Sequence, residues 1–236
     1  TDPGNWAKRS SVKWQEAMAK PLLFACAGFS VMVTFGIVAI LVGESSHFFG
    51  EIGLSEFFGG VKWTPLLEPR HFGIWPLIGG TMLVAVGAGL ISIPVGLGVA
   101  IFLSEYCPPS LARAIKPLLE ILAGIPTVVY GYFAISAITP VLQKMFPDTQ
   151  VFNAASAAIV VGIMTLPIVA SLCDDALNAV PMSLREAGMA LGATRWEVSS
   201  QIVIPGAFSG VVAAFILALS RAIGETMAVT LAAGAT

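Results

Sequence analysis

Charge is what this chain has least of. Lys, Arg, Asp and Glu make up 11% of its 236 residues, against roughly a quarter in an ordinary soluble domain, and the mean hydropathy is +0.87. No basic run is long enough to track a phosphate backbone, and the net charge is −2, so nucleic acid is not expected as a partner. Cysteine is scarce too. Cys26, Cys107 and Cys173 lie far apart with no C-x-x-C pair, which argues against a disulfide framework and a cysteine zinc site. The two histidines, His47 and His71, are isolated and read as solvated loop residues, so no metal is expected. Also missing is any G-x-x-x-x-G-K-[ST] loop, and with it the means to hold and hydrolyse ATP within this chain.

The scarcity of charge is uneven. Pro21 to Gly43, Phe72 to Leu103, Ile121 to Gln143, Val151 to Cys173 and Val198 to Ser220 contain no Lys, Arg, Asp or Glu, and the shortest of these runs is 23 residues. A helix needs about 20 apolar residues to cross hydrocarbon, and it closes its own backbone hydrogen bonds on the way. The expected fold class is therefore all-α, a polytopic transmembrane helix bundle of five spans. Ser199, Ser200, Gln201 and Pro205 occupy the head of the last run, so its membrane part is expected to start near Gly206 and to run on past Ser220. The first run is longer than the roughly 7–15 apolar residues of a cleaved signal, and it reads as a retained anchor.

Basic residues mark the inner face in short loops. Lys8, Arg9, Lys13 and Lys20 precede the first span, Arg113 and Lys116 follow the second, and Arg185 and Arg195 follow the fourth. The opposite side has only Lys62, Arg70 and Lys144. The amino terminus is predicted to be cytoplasmic. Residues 1–20 then form a cytoplasmic segment and 21–236 one transmembrane domain, with an outer loop at 44–71 and a cytoplasmic loop at 183–205. The outer loop, with Glu44, Glu51, Glu56, Glu68 and Trp63, reads either as an ordered docking segment or as a plain interfacial loop.

Helices in lipid meet through small residues. Gly80, Ala88, Ser92, Gly96 and Ala100 repeat every fourth position, interrupted by Val84, and Ala123, Thr127 and Gly131 do the same on the third run. Pro94, Pro126 and Pro167 lie inside three of the runs. Each removes a backbone donor, which bends a helix or opens it toward a wet cavity.

Four of the few charges fall within Ser183 to Glu197. Ser183 with Glu186, and Thr194 with Glu197, each have the spacing of a capping box, with Gly192 between them as a helix terminator. The pattern predicts helix, glycine turn, helix. The first rod is about 12 Å long, too short to cross a bilayer, and is expected to lie on the cytoplasmic face. Leu184, Ala187 and Leu191 form its apolar stripe, with Arg185 and Glu186 projecting elsewhere.

Glu186, Ala187, Gly192, Ile202 and Pro205 resemble the E-A-A…G…I-x-L-P signature of binding-protein-dependent ABC transporter permeases, with Gly188 where the third residue is usually Ala. The stretches F-G-I-W-P-L-I-G-G-T (Phe72 to Thr81), L-E-I-L-A-G-I-P-T-V-V-Y-G (Leu119 to Gly131), A-L-G-A-T-R-W-E (Ala190 to Glu197) and S-R-A-I-G-E-T-M-A-V-T (Ser220 to Thr230) are similar to the permeases of phosphate-specific ABC importers, G-E-T-M-A-V being nearer the PstC type than the PstA type. That resemblance implies a type I importer permease fold of six spans, of which five are present here. It makes the loop at 183–205 a coupling helix that docks on an ATPase, with Arg185, Glu186, Ala187, Gly192, Arg195 and Trp196 as its contact set. Implied partners are a PstA-type second permease, two ATP-binding subunits that hold ATP and Mg, and a periplasmic phosphate-binding protein. The lipid bilayer of a bacterial inner membrane is the implied surrounding, and no cofactor is expected on this chain.

Arg221 lies fifteen residues beyond Gly206, about 22 Å along a helix. A cation so deep costs about 2.5–3.5 kcal/mol on insertion scales and is paired or lines a wet path. Glu225, four residues on, is its expected partner. The pair reads either as a packing device or as a substrate site, where the guanidinium fork suits a tetrahedral oxyanion. The family resemblance supports transport. Glu120 reads as an interfacial carboxylate at the start of the third span. An ion-coupled secondary transporter, a membrane scaffold, and a permease for sulfate or molybdate are the competing readings.

Overall fold

The computed structural model describes the backbone of residues 4–234 and the side chains of residues 19–234. Lys8, Arg9 and Lys13 lie outside the described side chains, and Thr236 lies outside the described residues. The chain divides into two compact units, Thr1–Trp75 and Pro76–Thr236.

In the first unit, α1 (Gly4–Glu51) is one helix of 48 residues, of which Ala19–Glu51 is apolar enough to cross a membrane. None of its described side chains is buried. Phe24 and Phe35 are 82% and 71% exposed, as suits a helix whose surroundings are hydrocarbon. The segment 44–71, expected as an outer loop, is ordered. α1 runs into it as far as Glu51, α2 (Leu54–Gly59) follows, and β1 (Trp63–Thr64) pairs antiparallel with β2 (His71–Phe72), Trp63 opposite Phe72. Phe48, Phe49, Phe57, Phe58, Trp63 and Phe72 meet edge to face at centroid separations of 5.2 to 6.0 Å, a favoured aromatic geometry. Gly60 and Gly73 touch backbone to backbone there, and a Cβ on Gly73 would collide with the Gly60 carbonyl.

The second unit is a helix bundle built round α7 (Ala154–Asn178). Asn153 caps that helix, its side-chain oxygen accepting from the Ser156 N–H at 2.7 Å. Val160, Val161, Val169, Ala170, Cys173 and Leu177 along it are wholly buried. α3 (Trp75–Ile101) continues into a π turn at Phe102–Tyr106, giving one candidate span over Trp75–Tyr106. The third run is less simple than its composition suggested. α4 (Pro109–Ala123) ends at Gly124, and the chain turns through 87° before α5 (Thr127–Phe133), a second π turn (Ala134–Ile138) and α6 (Thr139–Met145). Pro126 stands at the corner as the N-cap of α5, where its missing donor costs no helix bond.

After α7 come α8 (Met182–Ala190), α9 (Arg195–Val198), a third π turn (Ser199–Val203) and α10 (Ile204–Gly206). A 72° bend leads into α11 (Phe208–Ile223), followed by α12 (Met227–Ala233). Among the described residues three helices are long and apolar enough to span a membrane, and five spans result if each bent pair counts as one.

Small residues do bring helices together, but not over the whole of each stripe. Ala88, Ser92, Gly96 and Ala100 on α3 are buried, and so is Val84. A Cβ on Gly96 would lie 2.7 Å from Val169 of α7. Gly80 is exposed, and a Cβ there would have nothing within 4 Å, so the contact face begins one turn later than predicted. On the third run the bend carries Ala123 away to an exposed position, while Gly131 is buried against Ala228 and Leu231 of α12.

Candidate functional site

The segment 183–205, expected as a cytoplasmic loop, forms an elbow whose joint is fixed from both sides. α8 ends at Leu191, and Gly192 follows with φ +87°. Its N–H donates to Met189 O at 3.0 Å, and the N–H of Ala193 donates to Gly188 O at 3.2 Å. These two bonds are the Schellman pattern, which places glycine in the left-handed conformation. Immediately beyond, Thr194 caps α9 with the full box: Glu197 N–H donates to Thr194 Oγ1 at 3.3 Å, and Glu197 Oε2 accepts from Thr194 N–H at 2.7 Å. The Thr194 amide and then its hydroxyl hold the Glu197 carboxyl below its ordinary pKa of 4.5. The other predicted box does not form. Pro181 takes the N-cap of α8 without a side-chain cap, which puts Ser183 inside the first turn and leaves its hydroxyl no capping role.

The stripe on α8 faces the opposite way from the prediction. Leu184 and Leu191 are 47% and 89% exposed, and Ala187 is exposed, whereas Arg185 is buried. The guanidinium donates to Glu105 Oε1 through Nε at 3.1 Å and Nη2 at 3.0 Å, to Leu177 O at 2.8 Å and to Val180 O. It thus closes the carboxyl end of α7, where free carbonyls and the helix dipole favour a cation. Gly188, buried beside it, gives room to Ile202 and Val198. Glu186, Ala187, Gly192, Arg195 and Trp196 remain on the surface. Met182, Leu184 and Met189 are also exposed.

The deep pair is present. Arg221 Nη1 lies 2.7 Å from Glu225 Oε2. Glu225 does not extend the same helix, because α11 stops at Ile223 and Gly224 forms its cap. The carboxylate stands in the gap before α12, where Oε1 also accepts from the Ala228 N–H at 3.2 Å. Glu225 is buried, whereas the Arg221 side chain is 43% exposed, and Glu225 is its only hydrogen-bond partner among the described residues. The other guanidinium donors have no partner among the described residues.

A further set of polar residues escaped the sequence reading. Lys116 of α4 lies 2.5 Å from Asp174 of α7, which is almost fully buried. Asn178 Nδ2 donates to Asp174 Oδ1 at 3.0 Å. Ser104 Oγ stands 3.4 Å from Asn178 Oδ1 and 3.1 Å from Glu105 Oε1. The signal that could have found them is position: Glu105 and Asp174 are the first carboxylates after two charge-free runs. Glu120 lies in the last turn of α4, its carbonyl accepting from Gly124, and not at a helix start. It lines a cavity of about 420 Å³ with Lys116, Asp174 and Asp175.

Residues 92–236 match the family described as the binding-protein-dependent transport system inner membrane component. Among curated relatives, the chain is 31% identical over 232 residues to the probable ABC transporter permease protein YqgH of Bacillus subtilis, covering 98% of this chain and 75% of that protein. It is 37% identical over 228 residues to the phosphate transport system permease protein PstC of Mesorhizobium japonicum, covering 88% and 69%. Among solved structures, an inward facing form of the MetNI methionine ABC transporter shares the fold with a TM-score of 0.60 at 23% identity, covering 72% of this chain and 79% of that one.

Proposed function

The chain belongs to the binding-protein-dependent transport system inner membrane components, and from that premise we propose that it is one membrane half of an ABC importer carrying inorganic phosphate into the cytoplasm. The observation that carries the proposal is the elbow at α8 and α9, short, capped on both sides of its joint and with Leu184, Leu191 and Trp196 exposed. Such a surface suits a groove on a motor protein.

A related permease of the PstA type would form the other half of the pathway. Two ATP-binding subunits would hold ATP and Mg beneath the elbows, and a periplasmic binding protein would deliver phosphate to the outer mouth. The amino terminus and the elbow belong on the cytoplasmic side by the distribution of Lys and Arg. Glu186, Ala187, Gly192, Arg195 and Trp196 supply the docking face, and Arg185 holds it in place from within.

Arg221 is the substrate-contacting group. Its exposed edge presents parallel donors to a phosphate oxyanion, and Glu225 limits the positive charge so that the anion is released. Replacing Arg221 by Ala is expected to leave the complex assembled and competent in ATP hydrolysis but to abolish uptake of labelled phosphate. Retained uptake would reduce Arg221 to a packing residue, and equal competition by sulfate would point to a broader oxyanion range. A second test is Gly192→Pro, because φ +87° lies far from the roughly −65° that proline requires. ATP hydrolysis without transport is expected, and normal coupled transport would remove the coupling role.

A further inference from the structure

We propose that two ion pairs, Arg185 with Glu105 and Lys116 with Asp174, joined through Ser104 and Asn178, form a relay that carries displacement of α8 into the π turn after α3, into α7 and into α4; this rests on the permease reading above. α8 needs such a tie. It packs on the elbow itself, through Gly188 against Val198 and Ile202, and its chain link to α7 is the short stretch 179–181. The one long side chain it buries is Arg185, which joins the carbonyls of Leu177 and Val180 to the carboxylate of Glu105, 80 residues away in sequence.

The second pair repeats the arrangement one turn further along α7. Asp174 is buried, holds Lys116 of α4, and accepts from Asn178. Between the pairs stands one hydroxyl with one proton and two acceptors, Glu105 Oε1 at 3.1 Å and Asn178 Oδ1 at 3.4 Å. Ser104 donates to only one of them at a time. The two pairs also meet through α7 itself, since Asn178 and the Leu177 carbonyl lie one turn from Asp174. A pocket of about 400 Å³ is bordered by Ser104, Glu105, Asn178, Arg185 and Arg195. Breaking either pair leaves a poorly solvated charge alone, so each pair keeps its spacing while the joint shifts. Glu105, Asp174 and Lys116 are thus positioning residues for transport and touch no substrate.

The test uses the full chain assembled with its second permease, ATP-binding subunits and phosphate-binding protein in liposomes, with ATP hydrolysis and phosphate uptake measured together. Glu105→Gln and Lys116→Met are expected to keep ATP hydrolysis within about twofold while phosphate taken up per ATP falls about tenfold, within the usual range of coupling between sites. Lys116→Arg should restore the ratio. The double variant should be no worse than the worse single one, because both changes cut the same series of contacts. Unchanged ratios, a parallel fall of hydrolysis and uptake, or losses that multiply in the double variant would each overturn the relay. Should Glu105→Gln or Lys116→Met fail to assemble, Lys116→Gln decides, since its amide still donates to the buried Asp174 carboxylate and the side chain it replaces is 46% exposed. An unmodified complex that hydrolyses ATP without importing phosphate would instead overturn the permease reading, and the relay with it.

Discussion

Glu197 shows how much a single exposed carboxylate can be asked to do. It accepts from the Thr194 amide and hydroxyl while its own N–H donates back, and its folded pKa lies below the ordinary value for that reason. A depressed carboxyl pKa adds stability above the unfolded value, and the contribution is lost as pH falls through the folded one. Protection of the Thr194 amide from hydrogen exchange, corrected for the intrinsic rate, should accordingly be constant near neutrality and decline only below the usual carboxylate range. Glu197→Gln should flatten that profile, and a pH-independent profile in the unmodified protein would show that the box carries no charge contribution. Arg185 is the contrasting case at this scale. Pattern alone marked it as a surface residue, since helical periodicity sorts residues by carbon content. Its burial depends on two carbonyls at the end of α7 and on Glu105, 80 residues away, which no local window contains.

At the scale of elements, close approach decides which glycines matter. A methyl on Gly96 would meet Val169 at 2.7 Å and the Ala170 backbone nitrogen at 3.3 Å. The backbone atom cannot yield as a side-chain tip can, so Gly96→Ala should lower thermal stability in detergent by about 1–3 kcal/mol. Gly80→Ala, on the same helix with nothing within 4 Å, should be neutral or slightly stabilising. Equal effects of the two would show that α3 does not pack on α7 as described. These elements also show what was legible beforehand. The glycine turn at Gly192 and the cap at Thr194 are written in the six residues Gly192 to Glu197 and formed as read. The box at Ser183 did not form, because Pro181 began α8 two residues earlier. Pro126 marked the place where the third run breaks, but the 87° turn and the resulting exposure of Ala123 follow from how α5 packs on α7 and α12, which a run of uncharged residues does not encode.

For the whole molecule, the test is which side of the bilayer each loop faces. The proposed orientation has the segment after α7 inside and the loop around β1 and β2 outside. Leu66 and Leu191 are 94% and 89% exposed and make good reporters. In a background with Cys26, Cys107 and Cys173 replaced, Leu66→Cys should react with a membrane-impermeant maleimide on intact cells, and Leu191→Cys only after permeabilisation. The reverse labelling would invert the orientation and remove the elbow from the ATP-bearing compartment. The two caps of that elbow meet with only Ala193 between Gly192 and Thr194. The joint therefore cannot be shortened: with Ala193 removed, the Thr194 N–H would be claimed by the Gly188 carbonyl and by Glu197 at once, and one cap would go unmade.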